Sequence, residues 1–365
     1  MTHNSLHDLL NITDIWQQLS NTNKPIVLYG MGDGADKILN VCQKKNITIN
    51  GVFASDEFVR GQSFRGFTVK KYSDIKNELG EMVILVSFAT SLKNVLERIY
   101  TLNSTDELYA PDVPVFGEGV FDSEFFNKNF EKFNSVYNLL HDCVSKKTYY
   151  NIIKYKLTGK IDLLSNCETN VVESYNNIIK PETKSVYVDI GAYNGDTINE
   201  YVSYAGKDIS VYAFEPDAKN FVKLSENIKK LDLSSIKLYN IAAWDKKEDL
   251  IFYSRSGRNS AHTTSHATSK AKIITADRVD SYIDEKVDYI NIDAEGSDLQ
   301  ALIGLEKVIC NFKPTISCAV YHRNQDMFEI PLYLASKYDS FEMYIRHFPY
   351  IPAWDTNIYI KRSIN

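Results

Sequence analysis

The chain is short of the features that mark several protein classes. Among its 365 residues are only five cysteines, at 42, 143, 167, 310 and 318. An odd number without a Cys-x-x-Cys pair speaks against a disulfide framework and a zinc site, and predicts free thiols in a reducing cytoplasm. A basic excess is missing as well, since Lys+Arg 41 against Asp+Glu 47 leaves a net charge of -6. Basic residues gather only in short pairs such as Lys229-Lys230 and Lys246-Lys247, so nucleic acid is not the expected partner. The longest clean apolar run is Val83-Ile84-Leu85-Val86, far below the roughly 20 residues that span a bilayer. The opening MTHNSLHDLLNITDIW has no basic segment leading into an apolar one. No secretory signal is therefore expected, and a cytoplasmic location is. There is no repeat of fixed period and no low-complexity tract.

What is present is an ordinary globular balance of 44% hydrophobic and 24% charged residues, in a length that predicts two domains at about 150 residues each. Residues 1–120 alternate short apolar runs (IVLYG, INGVFA, VILVSFA, VPVFG) with helical stretches through Ile38, Val41 and Cys42 and through Leu92, Val95 and Ile99. That alternation predicts a small Rossmann-like α/β domain with a parallel, doubly wound sheet. In 121–180 the strand pattern stops. Phe126, Phe130, Phe133, Tyr137 and Leu140 recur at helical spacing, followed by Tyr149, Ile152, Ile153 and Leu157 up to Thr158-Gly159, and a helical connector is expected there. From 181 to 365 strand and helix alternate again through VYVDIG, VYAFEP, IKLYNIAA, DYINIDAEG and TISCAVYH. The closing FEMYIRH and TNIYI read as antiparallel edge strands.

The densest chemical signal is VYVDIGAYNGDT (186–197), a strand ending in an acid, then Gly191 and Gly195 leading into a helix. Glycine lets the backbone approach a ligand, and the first amides of the helix are free donors. Twenty residues after Gly195, the strand VYAFEP ends in Glu215, where a carboxylate accepts both hydroxyls of a ribose. Together these predict a nucleoside-containing cofactor. Asp217 is placed to cap the next helix, whose inner face is Phe221, Leu224, Ile228 and Leu231.

DIGAYNGDT, AFEP, NIDAEGSDLQAL and ISCAVYHRNQDMFEIP, in this order, resemble the FkbM family of S-adenosylmethionine-dependent methyltransferases, in the long form with an extra N-terminal nucleotide-fold domain. The resemblance extends over nearly the whole chain, including KLTGKIDLL. It implies a class I methyltransferase domain and methyl transfer to a hydroxyl, commonly of a sugar in a surface glycan or natural product. It further implies that Asp189, Gly191, Ala192, Tyr193, Asn194, Gly195 and Thr197 surround the methionine end and ribose of S-adenosylmethionine. Glu215 holds the ribose diol, Pro216 shapes that turn, Ala242, Ala243 and Trp244 lie near the adenine, and Asp293 also borders the cofactor. Close packing of a strand end is the alternative for the two alanines, and anchoring of the following hairpin is the alternative for Trp244. Many family members carry lysine where this chain has Asn291.

Asp293 and Glu295 follow an apolar strand, and ligands in parallel sheets sit beyond the carboxyl ends of strands. Both are candidates for the base that deprotonates the acceptor, or for holding a divalent ion that lowers its pKa. Helix capping is the other reading of Glu295. His322, at the end of the next strand, is a third candidate base, with Tyr321 and Asp326 binding substrate or orienting it. Arg346 is placed to reach an anionic part of the acceptor, or to lie on a solvated edge. His262 and His266 fall in the Ser/Thr-rich SGRNSAHTTSHATS, read as an acceptor-binding lid rather than a metal site. In the first domain, Gly30, Gly32 and Ala35 form a G-x-G-x-x-A turn. Its alternatives are nucleotide-sugar recognition, dimerisation, or a scaffold that binds nothing. Two other functions fit the same motifs: an NAD-dependent dehydrogenase with two glycine turns, and a non-catalytic methyltransferase-fold scaffold in a glycan-assembly complex.

Overall fold

The structure, a computed structural model, describes residues 5–253 and 271–363. In the first unit, β1 (Ile26–Tyr29), β2 (Gly51–Ala54), β3 (Ser63–Phe64), β4 (Phe67–Lys71), β5 (Val83–Val86) and β6 (Glu107–Tyr109) pair in the order β3-β4-β2-β1-β5-β6. Every residue of β1, β2 and β5 is buried, as expected of strands covered by helices on both faces. All pairings are parallel except the β3–β4 hairpin.

The VPVFG segment is not a strand. Pro111 and Pro114 remove two amide donors, so the chain leaves the sheet after β6 and runs as a loop, which Lys37 Nζ holds by the carbonyls of Pro114 and Val115 at 3.0 and 2.9 Å. The Gly30 turn does follow β1, but a Cβ there would lie 2.7 Å from Phe88 and 2.8 Å from Ser87 Oγ. The turn is packed by residues that follow β5, and neither of the two cavities described below is lined by it.

Helices occupy Ser123–Lys128, Phe130–Leu139 and Cys143–Thr158. The aromatic stripe predicted as one helix is therefore two, divided at Asn129, whose amide side chain donates to the Phe125 carbonyl at 3.0 Å. Phe126 and Phe133 are buried. At roughly 1.5–3 kcal/mol for each fully buried large apolar side chain, they supply the main reason for these helices to stay docked. The longest helix joins both units: Tyr155 donates to the Ala110 carbonyl at 2.8 Å, and Tyr149 to that of Met327 at 2.9 Å.

The second unit holds β7 (Val186–Ile190), β8 (Ser210–Phe214), β9 (Ser235–Tyr239), β10 (Ala242–Ala243), β11 (Glu248–Tyr253), β12 (Ala271–Asp277), β13 (Tyr289–Ile292), β14 (Thr315–Ala319), β15 (Phe341–His347) and β16 (Thr356–Arg362). The main sheet runs β15-β16-β14-β13-β7-β8-β9, with β10-β12-β11 as a small separate sheet. In the main sheet only β16 runs against the others. The edge strand β15 follows the helix Asp326–Ala335, pairs antiparallel with β16 and so points the same way as β14. The order reverses at β7, between β8 and β13, which opens a crevice at its carboxyl end. Asp217 caps the helix Ala218–Ile228 by accepting from the amides of Lys219 and Asn220 at 2.9 and 3.1 Å. Leu224 and Ile228 of that helix are buried, with Ile228 packed where a side chain on Gly195 would have to go. Among the described residues no helix is long and apolar enough to cross a membrane.

Candidate active site

A cavity of about 340 Å³ fills the crevice beyond β7. Its floor depends on Gly191, which has φ +80 and whose Cβ, if present, would lie 1.9 Å from the Asp293 carbonyl oxygen. Only glycine lets this turn pass so close to the end of β13. Tyr193 follows in the left-handed region at φ +46, which aims its amide at Glu215 Oε2, 2.9 Å away. The amide of Asp217 donates to the other oxygen at 2.8 Å. Glu215 is 5% exposed, and burial pushes its carboxyl up to about 7, against the pull of these two donors. Behind it, Asp189 accepts from Thr197 Oγ1 at 2.6 Å and Asn291 Nδ2 at 3.0 Å. Burial raises Asp189 to about 6.

The acidic end of the cavity is built on Asp298. Its Oδ1 accepts from the Ala294 amide at 2.8 Å, while Oδ2 accepts from the Gly296 amide at 3.1 Å and lies 2.8 Å from His322 Nδ1. This staple holds Glu295 at φ +49, a strained position for a side-chain-bearing residue. His322 Nε2 lies 3.2 Å from Asp293 Oδ1 and 3.7 Å from Glu295 Oε2. Nε2 and that Oδ1 make no aligned hydrogen bond, so their contact is one of charge. Tyr321 donates to the other oxygen of Asp293 at 3.1 Å. Burial disfavours charge on His322, but Asp298 and Asp293 outweigh it and hold the imidazole protonated well above its ordinary range. Burial likewise works against charge on Asp293, but His322 and Tyr321 outweigh it and keep that carboxyl below its usual value. Glu295, which burial drives upward with help from the neighbouring carboxylates, reaches about 8.

Of the residues anticipated for the cofactor, Gly191, Tyr193, Thr197, Glu215, Pro216, Ala242, Ala243 and Asp293 line this cavity. Asp189, Ala192 and Gly195 are buried and do not line it, nor does the half-buried Asn194, whose Oδ1 accepts from the Asp196 amide at 3.2 Å and whose carbonyl accepts from Asn227 Nδ2 at 3.0 Å. Trp244 follows the alternative reading: its indole Nε1 donates to Glu248 Oε1 at 2.7 Å and anchors the hairpin at β11. Asp293, Glu295 and Tyr321 line the cavity, whereas His322 is wholly buried behind them. A protonated, enclosed imidazole has no path to an acceptor hydroxyl, so the general-base role expected of His322 is corrected to one of positioning. Asp326 is buried too. It accepts from the Arg323 amide at 2.9 Å, is pushed up to about 7 by burial, and lines neither cavity. Arg346, expected at the acceptor, is 1% exposed and pairs with Asp142 at 2.8 Å and Glu173 at 2.9 Å. It clamps β15 to the helices before the sheet. The stretch with His262 and His266, and with it the lid, lies outside the described residues.

Sequence reasoning missed Asp298, which reads as an ordinary acid in a first helical turn. It also missed Val115, Tyr350, Trp354 and Asp355 in the cavity wall, which arrive from the loop after β6 and the loop between β15 and β16 with no motif to mark them. Ligand atoms of Asp293, Asp298 and His322 lie within 4.8 Å of one another. Asp298 is already engaged with two amides and an imidazole, while His322 Nε2 and Asp293 Oδ1 are left without a hydrogen-bond partner.

The strand order, the glycine turn at the point where that order reverses and the acid closing the adjacent strand define the fold of a class I methyltransferase. Residues 189–351 match the family model described as Methyltransferase FkbM domain. The same fold is found in the solved methyltransferase FkbM from Methylobacillus flagellatus KT, with 18% identity, 92% of this chain and 90% of that one covered, and a TM-score of 0.68. An rRNA methylase from Streptococcus thermophilus overlaps 54% of this chain and 98% of its own, at 13% identity and TM-score 0.37. Fibrillarin from Aeropyrum pernix, solved with natively bound S-adenosyl-L-methionine, overlaps 52% of this chain and 71% of its own, at 13% identity and TM-score 0.34. A search of curated protein sequences gave no match.

Proposed function

We propose that this protein transfers a methyl group from S-adenosylmethionine to a hydroxyl, with a sugar unit of a glycan as the acceptor. The observation that carries the reading is the charge of the cavity. Asp196, Glu215, Asp293 and Asp355 line it beside Glu295, which is protonated near neutral pH, and no lysine, arginine or histidine does so among the described residues. Such a lining favours a cationic sulfonium and repels the pyrophosphate of NAD; like charges about 4 Å apart cost about 4 kcal/mol at a partly screened site. The size also fits, since small-ligand pockets start at about 300 Å³.

The residues present suit the cofactor. Glu215 faces the cavity as an acceptor for paired ribose hydroxyls, and Phe214, Ala242 and Ala243 give a small apolar slot for a base. When bound, S-adenosylmethionine supplies an electrophilic methyl: its S–C bond breaks, an O–C bond forms, and the hydroxyl proton must be taken up. Glu295 is the group suited to take that proton. It lines the cavity, and at about 8 its affinity for a proton is matched to neutral operation. Asp293, held ionised by His322 and Tyr321, is the weaker base and serves to fix the acceptor hydroxyl beside it. His322 and Asp298 keep both carboxylates in register.

Calorimetry with S-adenosylhomocysteine and NAD, followed by transfer of labelled methyl from S-adenosylmethionine into sugar and polysaccharide acceptors, tests the reading. Tighter binding of NAD than of S-adenosylhomocysteine would overturn the donor assignment. Label that enters only nitrogen acceptors would overturn the chemistry.

A further inference from the structure

A second cavity of about 800 Å³ opens on one face of the main sheet and shares Thr197, Asp293 and Asp355 with the first. Its base is aromatic. Tyr187 and Tyr289 sit side by side on β7 and β13 with rings 5.2 Å apart and nearly parallel, both buried and stacked on Tyr201, and Tyr359 on β16 lies at the register of Ser317. Between this base and the cofactor turn runs a fixed polar chain. Tyr289 donates to Ser317 Oγ at 3.0 Å, Ser317 to Asn291 Oδ1 at 2.6 Å, and Asn291 to Asp189 at 3.0 Å. Four carboxylates, those of Glu168, Glu200, Asp293 and Asp355, line the cavity, and among the described residues no lysine, arginine or histidine does.

We propose that this second cavity seats the acceptor and admits it only as a hydroxyl-bearing unit free of phosphate and carboxylate. The inference rests on the methyltransferase reading above and adds where the acceptor lies and which acceptors are refused. Carboxylates and amide oxygens accept hydrogen bonds from hydroxyls. An anionic substituent in the same space meets a lining of acids without a cationic side chain among the described residues, and it loses its hydration on entry. Burial raises both Glu168 and Glu200 from their ordinary values, so negative charge is already costly in this space.

The test uses the full chain saturated with S-adenosylhomocysteine and saturation-transfer NMR, which reads millimolar contacts. The probes are methyl hexopyranosides, 2-amino-2-deoxyhexoses, hexose 6-phosphates and hexuronic acids. The neutral and amino sugars are expected to give transfer and to compete with one another, with the phosphates and uronates weaker by roughly tenfold or more, as about 1.4 kcal/mol of repulsion requires. Ser91→Trp, at an exposed lining position contributed by the first domain, should abolish the hexoside signal while leaving S-adenosylhomocysteine affinity unchanged. Glu168→Arg should bring hexose 6-phosphates to about the level of the neutral sugars. The proposal is overturned if phosphates match neutral hexosides on the parent protein, if Ser91→Trp leaves hexoside transfer intact, or if no sugar binds while S-adenosylhomocysteine does. Failure of S-adenosylhomocysteine itself to bind would overturn the donor assignment, and this inference with it.

Discussion

Glu215 gives the sharpest test of the cofactor site, because its environment predicts both an energy and a pH dependence. Its carboxyl is raised from 4.5 to about 7 by burial, so near neutral pH the free protein holds it about half protonated. Ribose hydroxyls donate to the ionised form, and binding must therefore expel the proton. Below about pH 7 the carboxyl is neutral, and affinity for S-adenosylhomocysteine should fall by up to tenfold per pH unit; above it, affinity should level off. Glu215→Gln removes the charge but keeps the shape. At pH 8 it should weaken binding by about 10- to 150-fold, the equivalent of about 1.5–3 kcal/mol for hydrogen bonds to a charged group. Calorimetry from pH 5.5 to 8.5, in two buffers of different ionisation enthalpy, reads both the affinity and the proton released. Other groups in the cavity titrate in both proteins, so the difference between the two profiles isolates this carboxyl. A variant with the affinity and the pH slope of the parent would refute the reasoning.

Three further outcomes are expected. Glu295 is protonated below about 8 and ionised above, so kcat/KM should climb with pH through that value; Glu295→Gln should remove the climb and cut turnover by about 10²–10⁴ while leaving S-adenosylhomocysteine affinity within a few fold. Gly191→Ala combines a left-handed backbone position with a Cβ 1.9 Å from a carbonyl oxygen; urea denaturation should show a loss of about 2–5 kcal/mol, and S-adenosylhomocysteine should no longer bind. Arg346→Leu leaves Asp142 and Glu173 without their shared cation, but those side chains are 29% and 36% exposed, so water softens the loss to about 1–3 kcal/mol in urea denaturation. Cofactor affinity should be unchanged, and an effect confined to acceptor KM would restore Arg346 to the acceptor site.

The glycine turn and Glu215 were legible because the chemistry there is local. A strand, a turn that only glycine can make and an acid at a set distance lie within about 30 residues, and the parallel sheet places their ends together. Local spacing failed where neighbours in space are distant in sequence. Arg346 has a suitable side chain at the end of a suitable strand, yet it is consumed by Asp142 and Glu173, 204 and 173 residues away, which no motif announces. VPVFG has the composition of a strand, but its proline and a lysine from another helix make it a cavity wall.

By itself, then, the sequence determined the order of strands and helices, the closeness of approach at Gly191 and the supply of carboxylates at the ends of β8 and β13, all consequences of backbone sterics and periodicity over short spans. Tertiary structure alone decided the protonation of those groups and their access to a ligand. His322 has the same imidazole in any sequence context, but enclosed between Asp298 and Asp293 it holds its proton and steadies the turn, while Glu295, a few ångströms away and open to the cavity, is left as the group able to accept one. Charge state depends on burial and on partners brought together from opposite ends of the domain, and those exist only once the chain has folded.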